Sequence, residues 1–278
     1  MSLMSGQRTN CDVHTSALSP VQYSFLAEYA AWLYGCGATC TRIQHNVNRI
    51  ATVWHINIEL TILPGCIQLA VFDKDTGLSQ VYMKKTPETG LSFYKNSQLS
   101  QLSWAIADEK ITFDAAQRVF HQIVSTPLTN KWVVMVLTSL ANLGFCRIFG
   151  GDAIAMAIVF VATLLGYRLK QVLLEAHVDV KLVFLLCAFF SAVIGASGHI
   201  FHLGNKPEIA LGTCVLYLIP GIPYINSISD LIVGQYLVAF SRFMNAMVLT
   251  FCLSVGLAGA ILLLNLNLFR SEERRVGK

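Results

Sequence analysis

The sequence predicts an α-helical polytopic membrane protein of about five transmembrane helices, one of them broken, with an N-terminal soluble α+β domain. Three observations carry this. The 278-residue chain is 54% hydrophobic and 13% charged, where a soluble domain carries about 25% charge; its mean hydropathy is +0.56. The charge deficit is confined to the C-terminal half. Residues 132–269 hold only Arg147, Arg168, Lys170, Lys181, Lys206 and Arg242 against Asp152, Glu175, Asp179, Glu208 and Asp230. The third observation is that the hydrophobic period switches between helical and strand spacing before residue 131. The expected organisation is a disordered N-terminus (1–17), a cytosolic α+β domain (18–130), a transmembrane domain (131–269) and a short tail (270–278).

In the first half, residues 18–34 read as a helix, with Leu18, Val21, Phe25, Tyr29 and Trp32 at helical spacing and Ser19-Pro20 at its start. Gly35 and Gly37 end it. Residues 39–53 form a second helix, with Ile43, Val47 and Ile50 on one face. From His55 to Ile62 polar and apolar residues alternate, as in a half-buried strand. Pro64-Gly65 is a turn, and residues 67–72 and 78–83 are two further strands around 73–77. A small antiparallel sheet results. Residues 96–108 and 112–125 close the domain as helices, with Thr112 at a capping position.

The second half contains apolar runs at 132–149, 153–167, 182–203 and 243–264. The second run is short, and the segment from Glu208 to Arg242 is too long for one simple span and too short for two with a turn. One broken helix fits, its second half running from about Tyr224 toward Arg242. That gives five crossings. The positive residues Arg168, Lys170, Lys181 and Arg242 put the second and fourth connections on the cytoplasmic side with the N-terminal domain. The chain is then expected to be multi-pass in a lipid bilayer.

Several function classes lack support. No Ser-His-acid arrangement, H-E-x-x-H or phosphate loop occurs, so no enzyme is expected. Basic residues are dispersed, so no nucleic-acid partner is expected. His14, His45, His55 and His121 are scattered, and His199 with His202 lack a third ligand, so no metal or other cofactor is expected. Eight cysteines without a C-x-x-C suggest reduced thiols. The N-terminus has no apolar core, so no cleaved signal is expected. The tail RSEERRVGK looks like a sequencing adapter translated in frame; a solvated basic tail is the alternative.

Three features carry chemistry. Pro220, Gly221 and Pro223 interrupt an apolar segment, and Asn226, Ser229 and Asp230 follow. A break inside lipid must bury its freed backbone groups or turn them to water, and transporters use such breaks at substrate sites. A proline kink compensated by neighbouring helices is the alternative. Asp230 and Arg242 are charges in or near a span, where charge is costly and usually functional; for Arg242 a snorkelling anchor is the alternative. Arg147, Gly150, Gly151 and Asp152 join the first two spans, either as part of a site or as a tight connection.

These pieces together resemble the threonine/serine exporter (ThrE) family, in its split bacterial form with a YjjP-type small chain. Gly37-Ala38-Thr39 with Arg42 resembles the family's G-A-x-T-x-R-x-E motif, with Gln44 where an acid is usual. Residues 145–152 resemble F-x-x-x-F-G-G-D, and Pro220-Gly221, Asp230, Gly234 and Arg242 resemble a P-G, D-L, G, A-R series. The resemblance covers about residues 25–265. It implies a subunit of a secondary transporter exporting a small polar solute, threonine, serine or a succinate-like dicarboxylate. It also implies a small hydrophobic YjjB-type membrane subunit as partner. Proton or sodium coupling and a higher oligomer stay open. The alternative function is a membrane-anchored sensor or accessory chain whose N-terminal domain binds a ligand or partner.

Overall fold

The computed structural model describes residues 20–72, 79–127, 129–201, 203–204 and 206–264. The N-terminal segment 1–17, Leu18 and Ser19, the connection 73–77 with Leu78, His202 and the tail 270–278 lie outside them. The chain divides into two units between Val124 and Ser125.

In the N-terminal unit, α1 (Pro20–Gly35) and α2 (Cys40–Val53) precede three strands, β1 (Asn57–Leu63), β2 (Cys66–Phe72) and β3 (Ser79–Lys85). Helices α3 (Phe93–Ala107) and α4 (Phe113–Ser125) follow. The sheet is antiparallel in the order β1-β2-β3. Its register pairs Ile58 with Val71, Leu60 with Leu69 and Ile62 with Ile67, so the alternating apolar set lies on one face. Ile67, Leu69 and Val71 are buried there beneath α1.

Helix α1 is buried more completely than one apolar stripe requires. Phe25, Leu26, Tyr29, Ala30 and Leu33 are all in the core, whereas Val21, expected on the inner face, is 54% exposed. Phe25 packs edge-on to Phe113 and Phe120 at 5.6 and 5.3 Å, and the buried Tyr29 hydroxyl donates to the Leu99 carbonyl at 2.8 Å. Helix α2 buries Ile43, Val47 and Ile50 as their spacing predicts.

The second unit is entirely helical among the described residues: α5 (Lys131–Ile148), α6 (Ala153–Glu175), α7 (Val180–Gly195), α8 (Ser197–Ile200), α9 (Pro207–Thr213), a 3-10 turn (Leu216–Leu218), α10 (Gly221–Ile232) and α11 (Tyr236–Leu263). Among the described residues four helices are long and apolar enough to cross a membrane: α5, α6, the stretch Val180–Ile200 and α11. The pair Pro207–Leu218 and Gly221–Ile232 is bent by 59°, and makes a fifth crossing if it is one span.

Two expectations are corrected. The second span does not stop at Tyr167, because α6 runs on through Arg168 and Lys170 to Glu175. Its cations find aromatic faces near the helix end: Arg168 lies 5.1 Å from the Trp132 ring, and Lys170 5.0 Å from that of Phe184. The broken helix also does not continue to Arg242. It ends at Ile232, where Gly234 takes a φ of +83°, a region that side chains disfavour. The amides of Gly234 and Gln235 then bond the carbonyls of Leu231 and Asp230 at 3.0 and 2.9 Å, a Schellman closure. A new helix starts at Tyr236, and Arg242 belongs to it.

Helix α5 packs on α6, α6 on α7, and α7 on α11. Before the bend, α9 leans on α5, α6 and α7; after it, α10 packs on α11. The bend therefore hands one segment from one helix group to another. The α7–α11 seam is close because Gly256 lies against the Leu185 carbonyl and the Ala188 side chain.

Candidate functional site

The bend is built from residues that cannot continue a helix. Ile219 is extended, Pro220 has no amide hydrogen, and the Gly221 amide reaches only the Ile219 carbonyl, at 2.9 Å. Pro220 is buried at this corner, and Pro223 sits in the first turn of α10, where its missing donor costs little. A Cβ added at Gly221 would meet nothing within 4 Å, so this glycine is not there for close packing.

Past the corner, α10 and α11 form a hairpin closed by polar contacts. The Tyr224 and Thr250 hydroxyls lie 2.9 Å apart. The buried Ser227 hydroxyl donates to the Ala239 carbonyl at 2.7 Å. At the closed end, Arg242 Nη1 lies 2.8 Å from Asp230 Oδ2, with the side chains 13% and 0% exposed. The Asp230 backbone carbonyl caps α10 while its carboxylate faces α11, so one residue ends one helix and anchors the next.

Of the predicted residues, Asp230 and Arg242 are thus in direct contact. Ser229 donates its hydroxyl to the Ile225 carbonyl in its own helix at 2.9 Å, and Asn226 is half-buried on α10. The second group forms a connection. Arg147 donates to the Gly151 carbonyl at 3.4 Å, Gly150 has a φ of +83°, and Asp152 caps α6 by accepting from the Ala155 amide at 2.9 Å. Lys206 Nζ donates to the Gly150 carbonyl at 3.2 Å, which ties the α5–α6 connection to the start of α9. The third group belongs to the N-terminal unit. Gly37 follows α1, Thr39 caps α2 by accepting from the Arg42 amide at 3.4 Å, and Arg42 Nη1 donates to Asn96 Oδ1 at 3.4 Å.

Sequence reasoning missed a second polar cluster. Asn142 of α5, 2% exposed, donates through Nδ2 to Thr163 Oγ1 of α6 at 2.6 Å and to the Thr213 carbonyl of α9 at 3.2 Å. Among the described residues its Oδ1 has no hydrogen-bond partner. Nearby, the Ser191 and Tyr217 hydroxyls are 2.9 Å apart. A Cβ at Gly166 would clash with both of these oxygens. The signal available was one Asn and one Thr inside apolar runs, which interhelical hydrogen bonding in lipid favours.

The sequence profile described as "Putative threonine/serine exporter" matches residues 24–264. The chain belongs to the ThrE family. Two relatives carry the name "Probable succinate transporter subunit YjjP". The protein of Escherichia coli (strain K12) is 26% identical over 209 residues, 74% of this chain and 79% of the relative. That of Klebsiella aerogenes is 23% identical over 237 residues, 84% of this chain and 90% of the relative. No solved structure matches. A ThrE family member with four or five apolar spans is a multi-pass membrane protein of a transporter family.

Proposed function

We propose that this chain is one subunit of an inner-membrane secondary transporter that exports a small polar metabolite, threonine, serine or a succinate-like dicarboxylate. A second, small hydrophobic membrane subunit of YjjB type completes it, and the N-terminal domain lies in the cytoplasm. The observation that carries the reading is the buried Asp230–Arg242 pair beside the bent segment. Two opposite charges at 2.8 Å are expensive to bring into lipid and are usually kept for function. The pair also suits exchange. A guanidinium has five donors and can hold a solute carboxylate bidentately, while an aspartate released from it can take a proton or the solute's ammonium group. Proton coupling follows from that exchange; sodium coupling is the alternative. The word "subunit" in both relatives' names supports the partner.

The reading is tested by co-expressing the chain with its partner and measuring efflux of threonine, serine and succinate from loaded cells. Efflux of at least one solute above the empty-vector rate supports it. No efflux with both chains folded in the membrane sinks it. The accessory-chain reading draws on one observation, an arginine-lined groove in the N-terminal unit. It expects Asp230→Asn and Pro220→Ala to leave activity intact.

A further inference from the structure

We propose that the groove between α2 and α3 in the N-terminal unit binds a small dianion. The cavity has a volume of about 420 Å3, and every residue lining it is polar while none is acidic. Arg42, His45, Asn46 and Arg49 supply one wall; their i, i+3, i+4, i+7 spacing puts them on one helix face, next to the face of Ile43, Val47 and Ile50. Ser97 and Ser100 of α3 supply hydroxyls to the other wall.

Both arginines are held by buried neutral groups. Arg49 Nη1 donates to Asn46 Oδ1 at 2.9 Å and to Ser103 Oγ at 2.5 Å, and its guanidinium stacks 3.6 Å from the Trp104 ring centroid. Asn46 is fixed in turn by donating to Ser100 Oγ at 3.0 Å. Arg42 Nη1 rests on Asn96 Oδ1. Asn46, Asn96 and Ser103 are 3%, 3% and 0% exposed. Among the described residues no carboxylate forms an ion pair with Arg42 or Arg49. Neutral supports orient each guanidinium and leave its charge uncompensated. This is how a site for an oxyanion is preorganised. Two cations seven residues apart on a helix are separated by about 10 Å of rise, with His45 between them. A doubly charged ligand, a short dicarboxylate or inorganic phosphate, complements that row.

The inference does not depend on which solute crosses the membrane. Its test uses the full chain in detergent, titrated with succinate, with inorganic phosphate and with threonine as a net-neutral control, at constant ionic strength. The readout is binding heat together with the shift in melting temperature. We expect saturable binding of at least one dianion and none of threonine. Binding of succinate alone assigns a dicarboxylate site; binding of phosphate alone assigns a phosphate site. Arg42 is exposed, so Arg42→Gln leaves the core intact and weakens binding about tenfold or more. Arg49→Lys keeps the charge, loses the fork and weakens it as well. Absence of saturable binding by either dianion overturns the proposal. So does binding that survives Arg42→Gln and disappears in Arg242→Gln, which belongs to the membrane unit and supports the transport reading instead.

Discussion

Asp230 and Arg242 form an ion pair at 2.8 Å with side chains 0% and 13% exposed. Removing one partner strands the other in a low-dielectric setting, at a cost of about 3–5 kcal/mol by analogy with buried pairs elsewhere. Asp230→Asn and Arg242→Gln should therefore each lower the melting temperature of the detergent-solubilised protein, and the double variant should recover most of the loss. An additive double variant would show that the two charges do not pair. Asn142→Ala removes the bonds to Thr163 and to the Thr213 carbonyl, and should cost about 0.6–2 kcal/mol in the same assay. Asp230 was legible in the sequence because a carboxylate stands out in an apolar run. Its contact with Arg242 was not, because counting residues from Glu208 to Arg242 makes one segment of what a left-handed Gly234 divides into two. Asn142 was harder still: one amide among apolar neighbours has no pattern, and its partners lie 21 and 71 residues away.

At the scale of elements, the turns decide the architecture. Gly234→Ala forces a side chain into the left-handed region and should cost about 1–2 kcal/mol, loosening the α10–α11 hairpin. Gly256→Ala meets the Leu185 backbone and should cost about 1–3 kcal/mol by overpacking the α7–α11 seam. Thermal denaturation of each variant measures both. The sheet was readable because the alternation from His55 to Ile62 has no helical equivalent, and the proline-glycine corner because Pro220 has no amide hydrogen to give a helical ladder. The end of α6 was not readable from hydropathy. Arg168 and Lys170 look like a loop until aromatic rings on α5 and α7 accept them. Likewise α1 was assigned one apolar stripe, although a helix wedged between sheet and helices is covered on several sides.

For the whole molecule, the bend links the helix groups and the pair sits where the redirected segment meets α11. Large apolar side chains on that hairpin, such as Ile225, Ile228, Leu231 and Phe240, remain exposed. That surface suits lipid or a second membrane chain. The most direct test is efflux from cells carrying the chain with its partner, comparing the unaltered pair with the charge-reversed Asp230→Arg/Arg242→Asp variant. Reversal keeps one charge of each sign at the two positions but exchanges the groups a solute would meet, and the amount of protein in the membrane is measured beside the rate. We expect the variant to reach the membrane in normal amount and to lose about tenfold or more of the efflux rate. A charge-reversed chain that exports at the unaltered rate would contradict a role for the pair in the solute path.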